Sequence, residues 1–278
     1  MTNSFTFRAI ALSVVATSLL SGAVSSESKL SNFLKDRYSS NPNIQNLQVQ
    51  VVDSRIIPNS NKWKGIKLKL SGKYTGKPFS ENQIFFTDWK NFTENLTSLN
   101  GKDWKTIFTP KIQAKHYSKS NLLFGSENSK HKIVIFSDPL CPYCQRSVPA
   151  LLDYVKKYPK TFAVYYYHLP LERMHPASTT LTKLMYLAQI RGDKDAVSKA
   201  YFSKVGAKET SAIKIVEAFN KATGLNYTLA EANSKIVLAE ANHDKDVAKE
   251  LEVRGTPTVF LDGSKTGGEF YKSVKKVD

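Results

Sequence analysis

The only two cysteines of the 278-residue chain stand together in Cys141-Pro142-Tyr143-Cys144. The apolar run Ile133-Val134-Ile135-Phe136 precedes them, and Val148, Leu151, Leu152 and Val155 follow at helical spacing. The pair therefore opens a helix directly after a buried strand. A helix N-terminus presents unsatisfied backbone N–H groups and the positive end of the helix dipole. Both favour thiolate over thiol, and the thiolate is the species that attacks a disulfide. This assigns Cys141 as an exposed attacking sulfur and Cys144, one turn on, as the thiol that resolves the mixed disulfide. Pro142 suits the first helical position, where a missing N–H costs nothing, and Tyr143 lines the rim. Two blander readings stand beside the redox pair. A static disulfide here closes a tiny loop and constrains little of the unfolded chain. A metal half-site needs further ligands, and the five histidines are scattered with no pair at ligand spacing. No cofactor or metal is expected.

A second element, Gly255-Thr256-Pro257-Thr258, stands directly before a strand. A proline leading a strand is commonly a turn or edge residue. A cis bond before Pro257 would instead turn the Thr256 backbone toward the cysteines, where it could pair with an extended substrate strand. Asp138 is the nearest acid and reads as a turn cap at a strand end. His168 and His175 flank Leu169-Pro170-Leu171 and read as structural or rim residues before proton shuttles.

These groups need elements to hold them. Phe162 to Tyr167 is a second buried strand after the cysteine helix, and strand–helix–strand at this spacing implies a parallel βαβ unit with a right-handed crossover. From Pro176 to about Val253 nearly everything has helical period, with Gly224 as a C-cap and Thr228 as an N-cap. Thr258 to Leu261 returns to strand, and Asp262-Gly263 turns into a hairpin partner expected around Glu269 to Tyr271. The first part of the chain has a different rhythm. Leu30, Phe33, Leu34 and Tyr38 suggest one amphipathic helix, and three strands follow around Leu47–Val51, Ile66–Leu70 and Ile84–Phe86, with Ser71-Gly72 and Thr75-Gly76 as turns. The expected organisation is a small α+β domain over 24–108, a linker over 109–124, and an α/β domain over 125–278 with a helical insertion at about 176–253.

Met1 to Arg8 is a short polar start with one positive charge, Ala9 to Leu20 is uncharged and apolar, and Ser21-Gly22-Ala23 supplies small residues before a cut near Ala23. That is the pattern of a cleaved export signal over 1–23, and its apolar run is short of the roughly 20 residues that span a bilayer. An oxidising compartment is where a lone cysteine pair does redox work. The net charge of +16 could invite nucleic acid. The basic residues are dispersed, however, with no run of five, and no nucleic-acid partner is expected.

Cys-Pro-Tyr-Cys after a strand, with a distant Thr-Pro before another, resembles the thioredoxin superfamily. The long stretch between them is similar to the bacterial periplasmic Dsb proteins. Thr256 before the proline and the run Phe136-Ser137-Asp138-Pro139-Leu140-Cys141 resemble the DsbC and DsbG branch, and Phe85-Phe86-Thr87-Asp88 resembles a strand of its N-terminal dimerisation domain. The resemblance implies a V-shaped homodimer of thioredoxin-like catalytic domains joined through α+β N-terminal domains. It implies a periplasmic disulfide isomerase or reductase with Cys141 and Cys144 as redox pair and Thr256 and Pro257 as the cis-proline loop. Its partners would be unfolded or misoxidised exported proteins and a DsbD-like membrane reductant. The alternatives are a DsbA-like oxidase served by a DsbB-like oxidant, and a holdase chaperone with an incidental cysteine pair. One departure stands out: Ile135 occupies the position where thioredoxins and DsbA carry a buried acid.

Overall fold

A computed structural model describes residues 21–277, with side chains from Ser28 onward. Of the expected export signal, residues 1–20 lie outside the described residues. The chain divides into two compact units, Met1–Phe108 and Thr109–Asp278.

In the first unit, helix α1 (Ser21–Ser39) precedes the antiparallel strands β1 (Ile44–Ile56), β2 (Lys64–Tyr74), β3 (Lys77–Thr87) and the short β4 (Phe92–Thr93), paired in chain order. Leu30 and Leu34 lie one helical turn apart and bury against Ile66, Leu68, Leu70 and Phe85. Thr75-Gly76 forms the expected turn, since both residues have positive φ and Tyr74 pairs with Lys77. Ser71-Gly72 is not a turn but lies inside β2. Opposite it, β1 bulges between Gln45 and Gln48, and a Cβ at position 72 would come 2.8 Å from the Gln45 carbonyl oxygen. The glycine admits a close backbone approach, which looks in sequence like a strand end.

The second unit is built on the sheet order β5-β7-β6-β8-β9. Strand β5 (Leu122–Phe124) leads to β6 (His131–Ser137), helix α2 (Pro142–Lys156) and β7 (Phe162–His168). Strands β6 and β7 are parallel, as the βαβ reading requires. The helical stretch follows as α3 (Ala177–Arg191), α4 (Asp195–Lys199), α5 (Ala212–Thr223), α6 (Leu229–Ala232) and α7 (Lys235–Glu250). Gly224 closes α5 with φ 78°, and Thr228 caps α6. Strand β8 (Thr258–Leu261) then inserts antiparallel beside β6. Because the strands are buried on both faces, alternate residues feed two cores. Ile133, Ile135, Val164 and Tyr166 pack with α2 and the helical stretch, and Val134, Phe136, Tyr165 and Tyr167 with Val247, Leu251 and Ile112.

Two further expectations are corrected. The expected linker over 109–124 belongs to this unit. Ile112 is in its core and donates its N–H to the Gly263 carbonyl. The Asn121 side chain donates to the Tyr166 carbonyl and to Asp244, and Leu122–Phe124 is a strand of the sheet. Two of its polar residues, His116 and Asn121, are buried with partners inside the unit, while its lysines stay exposed. The last hairpin partner is β9 (Ser264–Thr266), and Glu269–Tyr271 instead opens the helix α8 (Phe270–Ser273), with Glu269 as its N-cap. Asp262 and Gly263 both have positive φ, and such a two-residue turn requires pairing to resume at once, as Leu261 with Ser264.

Glycine substitutions test the sheet's tight spot. At Gly125, after β5, φ is +75° and a Cβ would lie 2.0 Å from the Phe162 carbonyl oxygen, whereas at Gly224 nothing lies within 4 Å. Gly224→Ala is expected to cost about 1 kcal/mol, and Gly125→Ala at least about 2 kcal/mol more, because backbone must move. Urea unfolding followed by circular dichroism ranks the two, and equal losses would refute the packing argument.

Candidate active site

Strand β6 ends at Ser137, and the chain must leave the sheet and start α2 within four residues. Asp138 makes that turn. Its main-chain oxygen accepts from Cys141 N–H at 3.1 Å, and its carboxylate accepts from Leu140 N–H at 2.8 Å. The same carboxylate, fully buried, also accepts from Leu171 N–H at 2.8 Å, Ser178 hydroxyl at 2.6 Å and the His175 ring at 3.0 Å. It joins the cysteine loop, the loop after β7 and the start of α3. Asp138 caps the turn, as the sequence suggests, and also ties in two distant segments; of the structural and rim readings of His175, the structure favours the structural one.

Cys141 is the N-cap of α2 and Pro142 its first residue. The Cys141 sulfur caps no backbone N–H; its thiol points to the Thr256 carbonyl oxygen at 3.4 Å. The Thr256–Pro257 bond is cis. The structure thus brings Cys141, Cys144, Thr256 and Pro257 together from positions more than a hundred residues apart. Cys141 is not exposed, as the sequence reading had it, but only 4% accessible, because it turns inward under the Thr256 loop. The accessible surface of the motif is its rim, Pro142 and Tyr143, with the Arg146 guanidinium 4.9 Å from the centre of the Tyr143 ring. That cation, two residues after the motif, escaped the sequence reading.

Both cysteines are free thiols. Cys144 is fully buried, and burial pushes its pKa up to about 12, opposed in part by the polar groups of Ser137, Asp138 and Thr256 around it, which favour the thiolate. Among the described residues no three His, Cys, Asp or Glu side chains form a group that could hold a metal. Ile135, in the position of the missing acid, is buried in the core. His168 packs among aromatic rings. It is buried between the Tyr166 and Tyr186 rings, its Nε2 faces Gln189 at 3.3 Å, and burial lowers its pKa to about 3. It is a neutral core residue.

A family model described as Thioredoxin matches residues 118–277. The chain belongs to the thioredoxin family. The match starts inside the segment whose composition suggested a linker. A search of curated protein sequences found no match. Among solved structures, the chain is similar to the catalytic domain of ScsC from Proteus mirabilis, at 23% identity over 55% of this chain and 83% of that one, with a TM-score of 0.42. It is also similar to a periplasmic thioredoxin-like protein from Salmonella enterica serovar Typhimurium, at 21% identity over 58% and 94%, with a TM-score of 0.45. A third is BdbD from Bacillus subtilis, at 11% identity over 58% and 89%, with a TM-score of 0.46. At TM-scores below 0.5, no residue role is carried over from any of them.

The buried histidine gives a pH test. The folded-state pKa of about 3 lies below the ordinary value of 6.5, so the unfolded chain takes the proton first. The stability this contributes is present above about pH 6.5 and is lost as pH falls toward the folded value, by at most about 1.4 kcal/mol per pH unit. His168→Phe, which keeps a ring between the two tyrosines, is expected to flatten the acid limb. The stability gap between wild type and variant should narrow from pH 6 to pH 4 in urea titrations. Parallel curves would mean that His168 does not titrate with folding.

Proposed function

We propose that this protein is an exported thiol–disulfide oxidoreductase of the isomerase or reductase type, acting on misoxidised proteins in the periplasm. The observation that carries this reading is the meeting of Cys141, at the start of α2, with the Thr256 carbonyl of the loop before β8. A substrate strand laid along that loop would hold its own disulfide against the Cys141 sulfur, with Pro142 and Tyr143 as the rim it touches. The two thiols are unlike, as a two-step exchange requires. Cys141 attacks and carries the mixed disulfide, and Cys144, deeper and held as thiol, resolves it.

Family membership supports the redox chemistry, and the resemblance of the motif run and of Thr256 to the DsbC and DsbG branch supports the isomerase side. The N-terminal sheet β1–β4 is the candidate dimerisation domain, and a DsbD-like membrane protein the candidate source of electrons. A DsbA-like oxidase remains the competing assignment and is an outcome of the test.

Three variants and three substrates decide the matter. Cys141→Ser is expected to abolish both reduction of a disulfide substrate and reactivation of scrambled ribonuclease. Cys144→Ser should still attack and should accumulate a trapped mixed disulfide. The double variant serves as the chaperone control. Wild type that accelerates oxidation of reduced ribonuclease but leaves scrambled ribonuclease inactive would reassign the protein as an oxidase. Activity surviving in Cys141→Ser would end the redox reading altogether. Light scattering at micromolar concentration is expected to return twice the mass of the mature chain, and a monomer would remove the dimeric arrangement.

A further inference from the structure

Beneath Cys144 lies a group of hydroxyls that no motif announces. Ser137, the last residue of β6, is hydrogen-bonded to the Tyr201 hydroxyl at 2.6 Å, and the hydroxyls of Tyr201 and Tyr166 are hydrogen-bonded to each other at 2.5 Å. Ser137 and Tyr166 are fully buried and Tyr201 nearly so. The three come from different elements: β6, β7 and the 3₁₀ turn Ala200–Phe202 that follows α4. Cys144 packs in the same buried cluster as Tyr166 and Tyr201, and Ser137 faces it from the end of β6 on the side that favours its thiolate.

Counting hydrogens shows what the group can do. Three hydroxyls carry three hydrogens, and the two bonds joining Tyr166, Tyr201 and Ser137 use two of them. If the bonds run from Tyr166 to Tyr201 to Ser137, the hydrogen left over sits on Ser137 and faces Cys144. If they run the other way, it sits on Tyr166, for which no other acceptor is found among the described residues. A Ser137–Tyr166 bond could close the three on themselves. A charged sulfur beside Ser137 favours the open arrangement, because a hydrogen bond to an ionised acceptor is roughly twice as strong as a neutral one.

We propose that Ser137, polarised by Tyr201 and Tyr166, is the donor that stabilises the Cys144 thiolate during the resolving step, in the place of the buried acid that Ile135 leaves unfilled. Ser137 is the group that would donate to the sulfur once it is charged, and Tyr201 and Tyr166 act through it as positioning residues. This rests on the redox reading above. In that step the Cys144 sulfur attacks the Cys141 sulfur, the Cys141–substrate S–S bond breaks, and the pair closes as a disulfide. The substrate sulfur leaves with the electron pair and ends with the proton that Cys144 gave up. No outside oxidant is needed, since the substrate disulfide is reduced as Cys141 and Cys144 are oxidised. The hydroxyl chain lends a hydrogen bond and keeps its own protons. The other groups facing Cys144 are Cys141, the Asp138 backbone and the Thr256 hydroxyl. The one carboxylate near by, Asp138, is already saturated by its four donors.

The test separates the two steps. Reduced protein is mixed with glutathione disulfide, quenched in acid at intervals and resolved by mass, so that appearance of the glutathionylated form reports attack and its decay reports resolution. Ser137→Ala is expected to slow resolution by roughly tenfold or more at pH 7, the loss of one hydrogen bond to a charged group, and to leave attack unchanged. Its resolution profile should be displaced upward by about one pH unit. Tyr201→Phe, which keeps the ring and its packing, should slow resolution several-fold, and Tyr166→Phe less. Resolution at the wild-type rate in Ser137→Ala and Tyr201→Phe overturns the proposal, as does equal slowing of attack and resolution, which a merely structural defect would give. Wild type that forms no mixed disulfide overturns the redox reading and this inference with it.

Discussion

One buried carboxylate holds the site together. Asp138 is fully buried, and a carboxyl group in such a position needs its lone pairs filled. They are filled from three separate stretches of chain: the cysteine loop through Leu140, the loop after β7 through Leu171, and the start of α3 through His175 and Ser178. Each donor thereby becomes a constraint. The turn after β6 cannot relax, so α2 starts at a fixed point, and the point at which it starts places Cys141. Removing one partner of such a cluster leaves the others buried without compensation, which is far costlier than the net worth of any single bond.

From that anchor follows the difference between the two thiols. Cys141 sits at the end of the turn and reaches the Thr256 carbonyl, whereas Cys144 is carried by the first turn of α2 into the layer between helix and sheet. The environment there is apolar except for hydroxyls and one backbone group, which raises the cost of charge at Cys144 without forbidding it. Two residues of the same type, three positions apart, thus acquire different surroundings within one turn of helix.

The reactive pair, its strand–turn–helix setting and the proline loop were legible because each is a local pattern: an apolar run, a helical period, a Thr-Pro before a strand. So were the caps at Gly224 and Thr228, which depend on backbone rules a few residues long. What could not be read was long-range. Nothing near Tyr201 links it to Ser137, and nothing in Thr109–Asn121 reveals that Asn121 will be buried against Asp244 and the β7 backbone. A polar stretch reads as solvent-exposed until its partners are known. The exposure of Cys141 was misjudged for the same reason, since the group that covers it comes from the far end of the domain. Gly72 shows the complementary error: a glycine serving close approach of two strands is indistinguishable, within one strand, from a glycine serving a turn.

The helical stretch from α3 to α7 is spliced between β7 and β8, and by position it could pass for decoration on a smaller sheet-and-helix frame. Its side chains say otherwise. His175 and Ser178 at its threshold complete the Asp138 cluster, Tyr201 in its middle completes the hydroxyl group, and Asp244 near its end receives Asn121 and the His168 backbone. The frame and the insertion share their polar interior, so neither can be cut free with its hydrogen bonds intact. A stripped-down redox domain is therefore not contained in this chain as a separable part. The insertion and the dithiol are a single unit of inheritance, and any change in the helices that shifts α3 or the turn at Tyr201 is also a change in the chemistry of the sulfurs.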